Sequence, residues 1–142
     1  MKTLLDTGFL IGLFSPKDAH HKTCIAWIAS HRGELVTCWA AITEATHFLT
    51  HEQLHDLMKM LSQYVDAKLL RIENPPPQAV MALWQLMDKY EDLPMDFCDA
   101  SLVYLATTLK IDRIATVDRR DFTVYRLPNN KKFIHVLEPY QQ

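Results

Sequence analysis

Short apolar runs alternate with longer stretches of helical periodicity along the chain. The runs have the length of buried strands, and we predict five of them: Lys2–Asp6, Glu34–Cys38, Leu69–Glu73, Arg113–Val117 and Phe133–Leu137. The other stretches repeat apolar residues on one helical face, and we predict six helices: Thr7–Phe14, Asp18–His31, Ala40–Leu49, His51–Val65, Gln78–Tyr90 and Asp96–Leu109. Strands separated by helices favour right-handed crossovers. We therefore expect an α/β fold, a three-layer α/β/α sandwich with a mainly parallel central sheet.

Two local signals mark connections between these elements. Thr50 and Gln53 fit a capping box at the start of the helix His51–Val65. Pro75–Pro77 fits a strand-to-helix connection, because proline is tolerated in the first helical turn. We find no repeat, low-complexity tract or long linker within the 142 residues, so we expect a single domain over residues 1–142.

The composition constrains the class of function. Hydrophobic residues make up 49% of the chain and charged residues 23%, which favours a folded domain over a disordered one. The net charge is −2, with 17 acidic and 15 basic residues, whereas a general nucleic-acid coating protein would usually be basic. The composition therefore does not point to RNA, but it allows a protein whose acidic cluster needs a metal and whose local basic residues receive phosphate.

Two features bear on the cellular location. The odd number of cysteines, Cys24, Cys38 and Cys98, all in apolar surroundings, indicates buried thiols in a reducing compartment. The apolar N-terminal segment contains Asp6 and has no small-residue cleavage site after it, so we interpret it as a strand and a helix. No apolar run reaches transmembrane length. We expect a cytoplasmic protein without a membrane partner.

Carboxylates fall at the ends of predicted strands and the starts of predicted helices. Asp6 ends the first strand and Asp118 follows the strand Ile114–Val117. In open α/β sheets, ligands bind outside the carboxyl ends of the strands, so the two would share a crevice if their strands are neighbours. Glu44 lies one turn into the helix after the second strand, and Asp96 and Asp99 share one face of a later helix.

Each of these residues alone has an ordinary structural explanation. An aspartate after a strand is usually a turn or N-cap residue, and Asp96 could simply cap its helix. The coincidence is what needs explaining, since Asp6, Asp96 and Asp99 are embedded in apolar sequence. Desolvated carboxylates that repel one another cost stability unless a cation neutralises them. Oxygen donors with no companion Cys or His favour Mg²⁺ or Mn²⁺ over zinc.

Four ordered blocks of sequence resemble the PIN domain family, especially the VapC-like toxin ribonucleases of type II toxin–antitoxin systems. The blocks are LLDTGFLIGLF, AITEATHFL, DFCDASLVYLA and IATVDRRDF. Each block alone is weak, but the ordered set covers essentially the whole chain. The resemblance implies a Mg²⁺- or Mn²⁺-dependent endoribonuclease that leaves a 5′-phosphate and a 3′-hydroxyl. It also implies an RNA substrate, a cognate antitoxin protein and a homodimer.

The resemblance assigns roles to particular residues. The catalytic and metal-binding carboxylates would be Asp6, Glu44, Asp99 and Asp118. Asp96 is a second acidic residue in the third block, present in some family members only, and would be a further metal ligand. Thr7 and Thr116 match hydroxyls that support the metal or its waters. Asp121 is interpreted as a cap or salt-bridge residue.

Basic residues near the last block are candidates for RNA contacts. Arg119 and Arg120, together with Lys110 and Arg113, could meet phosphates that flank the cleaved bond. For each of them alone, a solvated surface position is the more typical explanation.

A competing motif points to zinc. The segment from His51 to His55 matches H-E-x-x-H, in which the two histidines bind Zn²⁺ and Glu52 is the base, and His47 continues the spacing of four. We prefer the nuclease because Thr50 puts His51 in the first helical turn, no third ligand has the usual spacing, and the chain is short for a peptidase.

Other phosphate chemistries fit the motifs less well. A haloacid-dehalogenase-like phosphatase would need an aspartate where Gly8 stands, and a receiver-like phosphoacceptor would carry its aspartate on a mid-chain strand. A glycine-rich nucleotide loop is not compatible with only three glycines.

A rival function of another class is protein association on a PIN-like fold with little catalysis. Apolar and aromatic residues of the first half, Phe9, Phe14, Trp27 and Trp39, could cover a partner groove or a dimer interface. Core packing is the ordinary explanation for each of them. The complete set of carboxylates favours the enzyme.

Overall fold

Five parallel strands form the central sheet of the computed structural model, which describes residues 1–141. In the order in which they lie across the sheet, they are β3 (Leu70–Ile72), β2 (Glu34–Thr37), β1 (Lys2–Leu5), β4 (Arg113–Ala115) and β7 (Ile134–His135). Strands β5 (Arg126–Leu127) and β6 (Lys131–Lys132) form a separate antiparallel hairpin. The predicted α/β class and mainly parallel sheet are confirmed.

Seven α-helices connect and flank these strands in the described part of the chain. They are α1 (Thr7–Phe14), α2 (His21–Ser30), α3 (Trp39–Thr46), α4 (His51–Asp66), α5 (Val80–Lys89), α6 (Phe97–Leu109) and α7 (Arg119–Val124). Successive residues of a strand point to opposite faces of the sheet. Because the neighbouring residues Leu4 and Leu5 are both 0% exposed, both faces of β1 are covered, as the three-layer sandwich requires.

The register of β1 and β4 brings two strand ends side by side. Leu5 is paired with Ala115, so Asp6 and Thr116 follow at the same edge of the sheet. The backbone N–H of Asp6 donates to the carbonyl of Ala115 at 3.1 Å and extends the pairing by one step. The expectation that the two strands are neighbours, on which the shared crevice depended, is therefore confirmed.

Several element boundaries differ from the prediction. Helix α2 begins at His21 rather than Asp18, because the Asp18 carboxylate accepts a hydrogen bond from the His20 N–H (2.8 Å) in a preceding turn. Helix α3 runs from Trp39 to Thr46 rather than from Ala40 to Leu49. The capping box of Thr50 and Gln53 at the start of α4 is present.

Two elements between Asp118 and Phe133 were not predicted. Helix α7 has only six residues, which is too short to show helical periodicity. The β5–β6 hairpin turns through Asn129 and Asn130, which both have positive φ angles, a conformation that asparagine tolerates. This segment carries residues that matter for the site described below.

The aromatic residues of the first half divide between core and surface. Phe9 and Trp27 are 0% and 3% exposed and pack edge to face, with ring centroids 5.4 Å apart. Phe14 is half-buried, whereas Trp39 is 55% exposed. The three cysteines are buried free thiols, as predicted. Among residues 1–141, no helix is both long enough and apolar enough to cross a bilayer.

Helix α1 approaches its neighbours closely through two glycines. A Cβ at Gly8 would collide with Cγ2 of Val117, and one at Gly12 would lie 2.6 Å from Sγ of Cys24. Glycine at position 8 therefore lets the start of α1 lie directly against the segment that connects Thr116 to Asp118.

Candidate active site

A buried hydroxyl connects the carboxylate at the end of β1 to the backbone that follows β4. Asp6 caps α1, and its Oδ1 accepts from the Thr7 N–H at 2.7 Å. The Thr116 hydroxyl, 1% exposed, donates to Oδ2 of Asp6 at 2.7 Å and accepts from the Asp118 N–H at 2.9 Å. Thr116 thus fixes the position of Asp6 relative to the backbone of Asp118.

A second pair of carboxylates lies at the start of α6. Asp96 is the N-cap residue, and its Oδ1 accepts from the Asp99 N–H at 2.8 Å. Asp99 in turn accepts a hydrogen bond at Oδ2 from the hydroxyl of Tyr125 at 2.8 Å. The Tyr125 ring is 0% exposed and packs edge to face against Phe122. A core tyrosine therefore holds Asp99.

Glu44 reaches the same region through Thr7. The Thr7 hydroxyl donates to Oε2 of Glu44 at 3.2 Å, with the Ala41 carbonyl at 3.4 Å as an alternative acceptor. Sγ of Cys98 lies 3.5 Å from the same hydroxyl. Helices α1, α3 and α6 therefore meet at this threonine.

Asp121 is a further acidic residue at this edge of the sheet. Asp118 caps α7 and accepts from the Asp121 N–H at 3.2 Å. Burial, a side-chain hydrogen bond to Asp118 and the Asp118 charge raise the pKa of Asp121. The sequence indicated only a cap or salt-bridge residue at position 121, whereas the structure puts this residue beside the other carboxylates.

The carboxylates influence one another's ionisation. Burial raises the pKa of Asp6 to about 6 against the effect of its two hydrogen bonds, and the charges of Asp118 and Asp96 raise it further. Burial, followed by the charges of Asp96 and Asp6, raises the pKa of Asp99 to about 8. We call Asp6, Asp96, Asp99 and Asp118 the acidic cluster.

The chemistry of the acidic cluster suits a hard divalent cation. Carboxylate oxygens are the preferred ligands of Mg²⁺ and Mn²⁺, and each oxygen that accepts one hydrogen bond keeps a lone pair. Within residues 1–141, however, no group of three or more His, Cys, Asp or Glu side chains converges closely enough to hold a metal ion as it stands. The donor type fits the cation, and the side chains are oriented by protein hydrogen bonds.

The basic residues predicted to contact RNA lie at both edges of the sheet. Arg119 follows Asp118 directly, but its guanidinium pairs with Glu138 at 3.0 Å and with the side chain of Gln141 at 2.9 Å. Arg120 is exposed. Lys110 directly follows α6 and Arg113 begins β4, so both lie at the opposite edge of the sheet.

The H-E-x-x-H segment forms the first turns of α4. His51, Glu52 and His55 are exposed, and Nδ1 of His55 lies 3.2 Å from the carboxylate of Asp56. These residues are not part of any candidate metal site in the described part of the chain. The geometry gives the zinc interpretation no support.

Tyr125 is the residue at this site that the sequence did not reveal. It lies seven positions after Asp118, behind a helix too short to predict, and nothing in the local pattern links it to Asp99. The only available signal was its position in an apolar segment that follows the last acidic block.

The parallel sheet and the acidic cluster at its carboxyl edge define an α/β domain with an acidic candidate active site. The PIN domain family model matches residues 3–127, a stretch that contains the whole acidic cluster together with Glu44 and Tyr125. This chain therefore belongs to the PIN domain family. No curated protein sequence matches it.

A solved structure shares the fold. The crystal structure of VapC20 from Mycobacterium tuberculosis, described as a toxin that cleaves the sarcin–ricin loop, superposes with a TM-score of 0.71. The match covers 83% of this chain and 91% of that one at 18% sequence identity. At this identity the likeness establishes the fold.

Proposed function

We propose that this protein is a metal-dependent endoribonuclease that hydrolyses RNA phosphodiester bonds at Asp6, Glu44, Asp99 and Asp118, with Asp96 as a further metal ligand. The observation that carries the proposal is that buried and half-buried carboxylates lie together at the carboxyl ends of β1 and β4 and at the start of α6. Burial and neighbouring charges raise the pKa of Asp6 to about 6 and that of Asp99 to about 8, so the ionised cluster needs a cation.

The chain's own residues have distinct tasks in this proposal. Mg²⁺ or Mn²⁺ bound there would activate water and offset charge on the phosphate. Asp99, with a pKa of about 8, would lose its proton to act as a ligand at neutral pH, whereas Asp6, with a pKa of about 6, is already mostly ionised there. Thr116 and Tyr125 orient these two carboxylates through hydrogen bonds of 2.7 and 2.8 Å, and the carboxylates would still have to draw together around the ion. Thr7 holds Glu44 in the same way at 3.2 Å.

Family membership and the likeness to VapC20 support a biological role as the toxin of a toxin–antitoxin pair. In this role the protein acts on cellular RNA in the cytoplasm, is a homodimer, and is inhibited by a cognate antitoxin protein. Arg119 and Arg120 contact phosphates of the bound RNA; Arg119 first has to leave its pairing with Glu138.

The test is cleavage of a mixed RNA pool by the purified protein with Mg²⁺, with Mn²⁺ and with a chelator. We expect cleavage only with a divalent ion, and a loss of at least about a hundredfold in Asp99→Asn, since a preorganised electrostatic group typically contributes that much. Asn keeps the size of Asp and can still accept from Tyr125. Asp66→Asn, at the exposed end of α4, is the matched control and should cleave normally.

Two outcomes would contradict the proposal. Cleavage that persists in Asp99→Asn would point to a contaminating nuclease. A folded wild-type protein that cleaves no RNA with either ion would leave the PIN-like binding module as the better description. Peptide hydrolysis that is lost in Glu52→Gln would instead support the zinc peptidase. We expect Glu52→Gln to cleave RNA as the wild type does.

A further inference from the structure

An open groove of about 700 Å³ adjoins the acidic cluster. Its lining includes the aromatic side chains of Trp39 and Phe97, which are 55% and 56% exposed although they are large and apolar. Glu44 and Asp96 also line it, so the groove shares carboxylates with the proposed active site. Any polymer bound at those carboxylates would pass beside the two aromatic rings.

The charges of the groove exclude some ligands. Of the residues that line it in the described part of the chain, none is Lys, Arg or His, and Glu44 and Asp96 are the carboxylates. A phosphate group would be repelled here unless it sat on the cation itself. A neutral ring with an aromatic face is compatible with the two rings and with the apolar wall formed by Pro75–Pro77.

One polar side chain in the lining has a fixed orientation. Oδ1 of Asn74 accepts from the Trp39 backbone N–H at 3.0 Å, which determines which end of the amide carries the oxygen. The amide nitrogen is then the end that can donate to a ligand. Asn74 is exposed and lines the groove beside Trp39. The site thus combines stacking surfaces with a hydrogen-bond donor, which are the two elements by which single-stranded RNA bases are recognised.

We propose that this groove binds one unpaired nucleobase of the RNA substrate, stacked against Trp39 and Phe97, next to the phosphate at the acidic cluster. The amide nitrogen of Asn74 donates to an acceptor on the base edge. This inference rests on the proposed ribonuclease function and adds that the substrate is single-stranded at the cleaved position. Paired bases in a duplex could not enter, because their faces are covered by stacking.

The kinetic test uses a single-stranded RNA oligonucleotide that the wild-type protein cleaves. Base–aromatic stacking contributes enough that Trp39→Ala and Phe97→Ala should each raise KM by roughly 5- to 100-fold. Trp39→Phe keeps an aromatic face and should recover most of the loss. Trp84→Ala is the matched control, because Trp84 on α5 is also about half exposed (52%) but does not line the groove. If Trp39→Ala and Phe97→Ala match Trp84→Ala, the base site is wrong although the nuclease stands.

A binding test separates the two proposals without cleavage. In an Asp99→Asn, Trp84→Phe variant, the remaining tryptophans are Trp39 and the buried Trp27, so fluorescence reports mainly on the groove. Single-stranded RNA should quench it, and a duplex of the same sequence should not. Absence of quenching, or equal quenching by the duplex, would overturn the base site. A fluorescence change with protein concentration alone would assign the groove to a second copy and also overturn it.

Discussion

At the residue scale, the acidic cluster is held by neutral hydrogen-bond donors rather than by cations. Thr116 donates to Asp6, Tyr125 donates to Asp99, and the same kind of bond joins Thr7 to Glu44. No salt bridge within residues 1–141 involves a member of the acidic cluster. A hydroxyl orients a carboxylate without neutralising it, so the negative charge stays available for a bound cation.

The hydroxyl of Thr116 supplies the first prediction. In Thr116→Val, Asp6 loses a donor and the Asp118 N–H loses its acceptor, and both sites are partly or fully buried. Orphaning buried polar groups should lower the free energy of unfolding by about 2–4 kcal/mol. Cleavage should also fall, because Asp6 is no longer fixed. Urea unfolding at pH 7 with a chelator measures the first effect.

Thr3→Val is the control for that experiment. Thr3 lies on β1, is 0% exposed, and its hydroxyl has no hydrogen-bond partner among the described residues. The same exchange should therefore leave stability unchanged or raise it, since an unsatisfied polar group is removed. If Thr116→Val and Thr3→Val have equal effects, the hydrogen bonds of Thr116 do not stabilise the site.

At the element scale, three helix N-termini meet at the acidic cluster. Asp6 caps α1, Asp96 caps α6 and Asp118 caps α7, so each carboxylate accepts backbone N–H bonds and faces the positive end of a helix dipole. These interactions offset part of the repulsion. Asp96 therefore caps α6 and also belongs to the acidic cluster, because its charge raises the pKa of Asp99 and of Asp6. Its role as a metal ligand stays a prediction.

The sequence was most informative where patterns are long. Asp6 was predictable as a strand-end carboxylate because β1 and α1 are clearly apolar, and the same holds for Asp99 in the long helix α6. The position of Asp121 beside the other carboxylates was not predictable, because the six-residue α7 leaves no periodic signal. The role of Tyr125 was not predicted, because its hydrogen bond to Asp99 joins residues 26 positions apart in the chain and no local pattern encodes such a contact.

The close packing of α1 gives a prediction at this scale. In Gly8→Ala the new Cβ collides with Val117, so α1 must move away from the segment between Thr116 and Asp118. Overpacking typically costs about 1–3 kcal/mol, more than alanine gains by helix propensity. We expect lower stability and, since Asp6 and Asp118 separate, weaker cleavage. Thermal unfolding and cleavage rate per folded molecule are the measurements.

Two further variants separate the displacement of α1 at the active site from a general loss of stability. Val117→Ala removes the Cγ2 atom in the collision, so Gly8→Ala with Val117→Ala should regain cleavage over Gly8→Ala alone. Gly12→Ala creates a similar collision with Cys24 on α2. It should lower stability but keep cleavage per folded molecule near wild type. If Gly12→Ala impairs cleavage as much as Gly8→Ala, loss of stability alone explains both.

At the scale of the whole molecule, the acidic cluster opposes the stability that the core provides. The chain as a whole is nearly balanced in charge, with a net charge of −2, so the repulsion is local rather than global. Asp6 is 6% exposed and yet ionisable, and each unit by which its pKa is raised corresponds to about 1.4 kcal/mol against the ionised folded state. A cation that binds only the folded protein would recover this energy.

The cost of ionising the buried carboxylates predicts how the stability of the metal-free protein depends on pH. In the unfolded chain the pKa of Asp6 and Asp99 is near the ordinary aspartate value of 3.8, and in the folded protein it is raised to about 6 and about 8. Between about pH 4 and pH 8 the unfolded chain therefore binds fewer protons, so these groups lower stability as pH rises, and their penalty is complete above pH 8. The side chain in Asp99→Asn cannot ionise, so this variant should not show the part of the stability loss that ionisation of Asp99 causes.

The measurement is the difference in Tm between Asp99→Asn and wild type across that range, with a chelator present. We expect a difference near zero at pH 4 that grows to several degrees in favour of Asp99→Asn at pH 8, since 1 kcal/mol shifts Tm by roughly 3 °C in a domain of this size. Mg²⁺ at pH 8 should raise the Tm of wild type, and of the control Asp66→Asn, more than that of Asp99→Asn. A difference that is independent of pH would mean that Asp99 is not held protonated in the metal-free protein, and the cation would then have no repulsion to relieve there.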